Sequence, residues 1–474
     1  MVLPGLFYDL FSFQQNSCFM NSTVFTYQFR LLVRNRLFLL CLLALLGAGI
    51  YGTYYGRHFV EGQQRVLAGM DSVVQDRYES YQAYRSGLPD SLRSDIRAYA
   101  GLYVTAYAPT AFTALAIGQK DNYPFYHEVN GLKNIYEVDT TAIRNPAKQL
   151  AGNFDLSFVI VYLFPLFVIV LGYNVLSEEQ DQHTLSLLAV QTDVGRLVRS
   201  KLFFRLLVML VLSLVVNLTA FAINGIPLRM IWSMASWCTV SWLYIIFWFS
   251  VVYLVVMLDR GGSVSALLLG GLWVLFLLVV PTVVNRQVSS LHVREQAQTL
   301  FNRRGDLPRA YDLSEQEITN QYTKLSNRHN LPVLSDTSAL PQIMRKSYMV
   351  GRIQADWDNR LGRNALEATF GEYQRALDYN WVNPAFAVQQ CFNQIGNTEI
   401  GNYRDYMLAV EHFENERAYW LYRLWNDPLF DGEKDLTPKF AQIESHISIR
   451  TIRELWSLLF ISIGLWLIAI TRKL

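Results

Sequence analysis

Residues 177–201 read SEEQDQHTLSLLAVQTDVGRLVRSK and lie between two long apolar runs, 155–176 and 202–223. Ordinary connections between packed helices take about 2 to 8 residues, so this stretch is too long and too patterned to be a hairpin. Leu185, Leu188 and Ala189 recur at i, i+3 and i+4, and Asp181 stands where a capping side chain is wanted, which predicts a short amphipathic helix lying at a membrane surface. Glu178, Glu179 and Asp181 come first and Arg196, Arg199 and Lys201 last, an order that suits a helix dipole and gives the segment two chemically distinct flanks.

Outward from this segment the chain is membrane material. Of 474 residues, 52% are hydrophobic and only 17% charged, too apolar for a water-soluble protein of this length. A helix needs roughly 20 apolar residues to cross the hydrocarbon core, and six stretches qualify: 37–56, 155–176, 202–223, 230–258, 263–285 and 453–471. None carries a charge near its centre. Arg205 lies one turn inside the third span and can snorkel to the interface, Asn217 is the most polar residue at depth, and Trp456 and Trp466 suit the last span. Pro165 should kink the second span and free a backbone carbonyl for a neighbour.

Basic residues set the orientation. Arg30, Arg34 and Arg36 precede the first span, Arg196, Arg199 and Lys201 follow the second, Arg260 follows the fourth, and Arg472 and Lys473 close the chain. With six crossings all of these share one side, so the positive-inside rule puts residues 1–36, 177–201 and 472–474 in the cytoplasm. Arg57, Arg229, Arg286, Arg450 and Arg453 fall on the opposite face, where long translocated segments weigh little. The opening MVLPGLFYDLFSFQQ lacks a basic region and a small-residue cleavage site, so the first span is expected to act as its own signal.

Residues 57–154 and 286–452 are each of domain size and face the opposite side. Glu61 to Tyr84, Ser91 to Tyr107, Leu340 to Tyr379 and Thr398 to Trp425 are predicted helical, and the aromatics of the second region recur at spacings that suit helix packing. The expected fold is an all-α polytopic membrane protein with six transmembrane helices, a cytoplasmic coupling helix and two mainly helical periplasmic domains.

Several functions are disfavoured. A net charge of +2 makes no case for nucleic acid, and four scattered cysteines form neither a disulfide framework nor a metal motif. There is no phosphate loop, no HExxH and no GxSxG, and His127-Glu128 lacks a second histidine at the required spacing. The spans also lack the midplane acids and bases of ion-coupled carriers. Small residues recur every four positions at Ala44, Ala48, Gly52 and Gly56 in the first span and at Gly262, Ala266 and Gly270 in the fifth, a spacing that serves close helix contact within one subunit or between two.

The order Glu179, Asp181, Thr184, Leu185, Leu187, Leu188 resembles the coupling segment of ABC type-2 exporter permeases, in which acids precede Gly-Thr-Leu, a further Leu pair and a proline. His183 stands where that family has glycine, and Thr192 near its proline. The resemblance implies a non-catalytic permease subunit whose residues Glu178, Glu179, Asp181, His183, Thr184, Leu185, Leu187 and Leu188 meet a dimer of ABC ATPase subunits. ATP and Mg would be bound by that partner, with no cofactor or metal in this chain. In the family the first and fifth spans meet across a dimer, which implies a second permease copy, identical or similar. More loosely, Asn383-Pro384-Ala385-Phe386 and Arg417-Ala418-Tyr419 resemble the outer domain of a bacterial subfamily with enlarged periplasmic insertions. The expected setting is the bacterial inner membrane among its lipids, exporting a substrate. The alternative is a mechanotransmission subunit that relays ATPase motion to a periplasmic partner and carries no cargo.

Overall fold

Inside hydrocarbon every backbone N–H and C=O must be paired within its own segment, so the long apolar runs fold as helices. The computed structural model describes residues 28–30, 33–87, 103–132, 135–136, 153–181, 194–258, 260–288, 309–329, 331, 342–426 and 449–471. Helix α1 runs over Arg36–Ser86. Helix α2 is a continuous rod in three pieces, Leu156–Phe158, a π-helical turn Val159–Leu163, and Phe164–Gly172, followed by a helical turn Ser177–Asp181. Helices α3 (Val194–Ile223) and α4 (Ile231–Val256) form an antiparallel pair. Helix α5 joins Gly262–Val274, a second π turn Leu275–Val279, and Val280–Val288. Then come α6 (Glu315–His329), α7 (Gln342–Leu377), α8 (Pro384–Gly396), α9 (Ile400–Asn426) and α10 (Ile449–Thr471).

Among the described residues, five helices are long and apolar enough to cross a bilayer: Phe38–Met70, Leu156–Gln180, Val194–Ile223, Leu228–Val256 and Gly262–Val288. Where the sequence predicts six spans, α10 contributes a shorter apolar stretch, Trp456–Thr471. The bundle is organised on α4, which packs against α10, α3, α2 and α5 and whose apolar window is 72% buried. Helix α1 lies on α3 and α2, and α5 lies on α2 and α4 with only 11% of its window covered. The buried polar residue foreseen at depth does structural work: Asn217 Oδ1 accepts from Trp237 Nε1 at 3.1 Å, linking α3 to α4, and such a bond is worth about 1 kcal/mol in a bilayer.

Two helices extend beyond the predicted spans, and one predicted helix is corrected. The first predicted span and the predicted helix Glu61 to Tyr84 form one rod, because no proline or glycine pair breaks the helical pattern and α1 continues to Ser86. The helix of the third span is already formed at Val194: Val194, Val198 and Leu202 keep helical spacing, so Arg196, Arg199 and Lys201 belong to the first turns of α3, not to a separate short helix. Asp181 stands on the helical turn Ser177–Asp181, and the helix that it is expected to cap lies outside the described residues. Finally, part of the predicted helix Ser91 to Tyr107 is a strand. Tyr103–Ala106 pairs antiparallel with Tyr126–Val129, with Thr105 opposite His127, because β-branched and aromatic residues there bury both faces of a short ribbon. The helices predicted in 286–452 are present as α7 and α9 within two residues of the expected bounds.

Each π turn ends two residues before a proline, Pro165 in α2 and Pro281 in α5. Proline has no N–H to give and its ring crowds the carbonyl four residues back, and the wider i→i+5 turn relieves both. The carbonyl of Val161, which Pro165 cannot serve, accepts instead from the Tyr244 hydroxyl at 3.1 Å, as the predicted kink required. The neighbouring carbonyl of Tyr162 accepts from Trp273 Nε1 at 3.1 Å.

Helix α8 is the element that the sequence places outside the bundle and the fold places within it. It packs on α4, α10 and both π turns, and its Val388, Cys391 and Phe392 join the same apolar core as the spans. The rest of the loop domain forms two smaller cores, one around Tyr322, Tyr348 and Trp420 and one around Tyr103, Tyr107 and Tyr406.

Candidate functional site

The segment expected to meet a partner is framed by the ends of α2 and α3. Residues 182–193 lie outside the described residues, and with them His183, Thr184, Leu185, Leu187 and Leu188. The structure around them is tied together. Glu178 and Glu179 sit on the turn that extends α2, their backbone N–H groups donating to Asn174 and Leu176. The Glu179 carboxylate pairs with the Lys201 ammonium, and both side chains are largely withdrawn from solvent, at 18% and 8% exposure. Arg205 donates to the Leu171 carbonyl, and Arg199 reaches the Tyr253 hydroxyl at 3.5 Å. Tyr253 in turn packs on Trp466 of α10, with ring centroids 4.7 Å apart. Ser177 lies against the start of α5, where a Cβ on Gly262 would come within 2.5 Å of its hydroxyl oxygen. This base therefore connects α2, α3, α4, α5 and α10 around the undescribed segment.

The sequence points to Glu178, Glu179 and Asp181 but not to the residues that hold them. By its position alone Lys201 is one member of a basic flank. Its role as the partner of Glu179 comes from helix continuity, which puts it on the second turn of α3.

A second polar centre lies at the other end of α2. Asp155 is the N-cap of that helix: Oδ1 accepts from Phe158 N–H at 2.8 Å and from the Ser157 hydroxyl at 2.7 Å, and Oδ2 accepts from Ile117 N–H at 2.8 Å. Gln389 Nε2 of α8 donates to the Ser157 hydroxyl at 2.9 Å, and the Ser157 N–H donates to the Leu115 carbonyl. Phe392, one turn along α8, packs on Trp237 of α4 at 4.2 Å. Burial pushes the Asp155 carboxyl up to about 6, against the hydrogen bonds from Phe158, Ser157 and Ile117 that pull it down. Helix α2 thus has an ion pair at one end and a hydrogen-bonded carboxyl at the other, with a π turn between them.

The small-residue stripes divide. A Cβ on Gly52 would lie 2.9 Å from the Asp155 carbonyl oxygen, and one on Gly56 would overlap the Ala114 carbonyl oxygen, so both glycines are used within the chain. Ala44 is exposed and Ala48 partly buried against the core. On α5, Gly262 meets Ser177, Ala266 is partly buried, and Gly270 has nothing within 4 Å of an added Cβ.

Beyond geometry, the sequence model of a family described as ABC-2 family transporter protein matches residues 23–472. No curated protein matches the chain.

Proposed function

Because the chain belongs to the ABC-2 family of transporter proteins, a multi-pass membrane component of transport, we propose that it is the permease subunit of an ABC exporter, driven by a separate ATPase that grips residues 177–201. The observation that carries this reading is the base around that segment. Glu179–Lys201, Arg205–Leu171 and Ser177 against Gly262 fasten the ends of three spans to one another, so a push on the connection is delivered to rods rather than to a slack loop. In this reading Glu178, Glu179, Asp181, His183, Thr184, Leu185, Leu187 and Leu188 form the contact, ATP and Mg stay with the partner, and the basic ends of the spans place both termini in the cytoplasm and the two large loops in the periplasm. Helix α10 is the sixth crossing. A second permease copy completes the assembly, with the open face of α5 around Gly270 as its seat.

Substituting both Leu185 and Leu188 by Glu is expected to abolish co-purification with the ATPase while leaving the permease inserted and folded; retained association would defeat the proposal. A second reading is supported by α8. Since the outer end of α2 touches this helix through Ser157 and Gln389, ATPase motion has a route into the loop domain, as a relay to a periplasmic partner requires. ATP-driven efflux from reconstituted vesicles separates the two readings, because a relay subunit hydrolyses ATP through its partner without moving cargo.

A further inference from the structure

Between α7 and α8 the chain turns over residues 378–383. The turn displays Trp381 at 70% exposure, with Tyr379 and Val382 exposed beside it. Three large apolar or aromatic side chains within four residues are a poor surface for a water-facing domain.

The depth of the turn supplies the reason. Helix α8, directly after it, is seated among the spans: Phe392 packs on Trp237, six residues or about 9 Å inside the start of α4, and Gln389 bonds to Ser157 in the first turn of α2. On the other side, Tyr373 near the end of α7 donates to Gln390 at 2.9 Å, so α7 comes down alongside α8. The turn joining them is therefore held on both sides by helices that reach the domain end of the bundle. Other exposed aromatics are found towards the same ends of neighbouring helices, Tyr54 on α1, Trp232 on α4 and Trp456 on α10. Their apolar bodies and polar edges suit the boundary between headgroups and acyl chains. Polar groups are kept off the tip, residues 379–382: Asn383 is buried and caps α8, Asn380 is buried, the exposed Arg375 belongs to the last turn of α7, and the exposed Asp378 precedes the tip.

We propose that residues 379–382 insert into the bilayer leaflet at the domain end, with Trp381 and Val382 at the boundary between headgroups and acyl chains, so that lipid covers this face. Helix α8, which begins directly after the patch, packs on α4, α10 and both π turns, and this continuity with the bundle is the argument for lipid over a protein partner. Insertion requires only that the bundle cross a membrane, and so stands or falls separately from ATPase coupling.

The test uses the full chain with Cys18, Cys41, Cys238 and Cys391 replaced by Ala, a Trp381→Cys substitution labelled with an NBD fluorophore, and reconstitution into phosphatidylethanolamine–phosphatidylglycerol vesicles. Tyr311→Cys, at a 67% exposed site in the loop domain, serves as the reference. The label at 381 is expected to emit to the blue of the label at 311, to be quenched several-fold more strongly by lipids carrying a shallow nitroxide, and to be shielded from iodide present on both sides. Iodide quenching equal to that at 311 would overturn the proposal, as would shielding from both quenchers, the signature of cover by protein. Val382→Cys repeats the measurement should Trp381→Cys impair folding, and must give the same pattern.

Discussion

Asp155 is a carboxyl on which burial and hydrogen bonding act in opposition, and burial prevails, setting it at about 6. A folded-state value above the ordinary carboxylate range means that the native protein holds a proton which the unfolded chain releases. Stability from this group is therefore greatest at low pH and falls as pH rises from about 4 to about 6, with no further change above. In Asp155→Asn, thermal unfolding in detergent should lose that part of its slope between pH 4 and 6; an unchanged slope would assign it to other groups. Its capping role goes with a local signal, an acid directly before an apolar run, although the sequence reading placed a cap at Asp181 and not here. Its partners were not legible: Ile117 lies 38 residues away, and Gln389 lies 232 from Ser157, separations at which no local pattern speaks. Lys201 shows the same limit, as its charge is plain but its pairing with Glu179 needs the phase of α3.

At the level of helices, the proline of α2 predicts a carbonyl freed for a neighbour, and the Val161 carbonyl is so used, yet the π turn before it has no signature in composition, and the same holds for the turn before Pro281. These are the two sites where the rods can yield. Pro165→Ala supplies an N–H that competes with Tyr244 for the Val161 carbonyl and draws the ladder back towards i→i+4. Its melting temperature should be unchanged or higher, while ATP-driven function in vesicles falls by roughly tenfold or more, an equivalent of about 1.4 kcal/mol in barrier. Normal function in this variant would show that the hinge is idle. Spans were easy to find because twenty apolar residues admit one solution in lipid. The short ribbon Tyr103–Ala106 was missed because four residues next to a helical pattern carry too little periodicity to outweigh it.

For the whole molecule, the glycines decide which surfaces are internal. Gly56→Leu drives a side chain into the Ala114 carbonyl and should destabilise the single chain by about 3 kcal/mol or more, read by thermal unfolding in detergent. Gly270→Leu meets open space within the chain and should leave its melting unchanged while weakening association of two copies, read by cross-linking in membranes. An effect on neither property would remove α5 as the seat of a second copy. The order of the apolar helices and of α7 and α9 was legible, whereas α6 and the seating of α8 among the spans were not, since the mixed composition of α8, PAFAVQQCFNQIG, carries no mark of depth. Helix α1 extends these effects well beyond the bundle. Its 51 residues make a beam about 76 Å long, of which some 45 Å lie beyond the fulcrum where Gly56 bears on Ala114. A lean of about 10° at that fulcrum would sweep the far tip through about 8 Å, so a slight tilt of the span becomes a displacement of molecular size at the end of the helix.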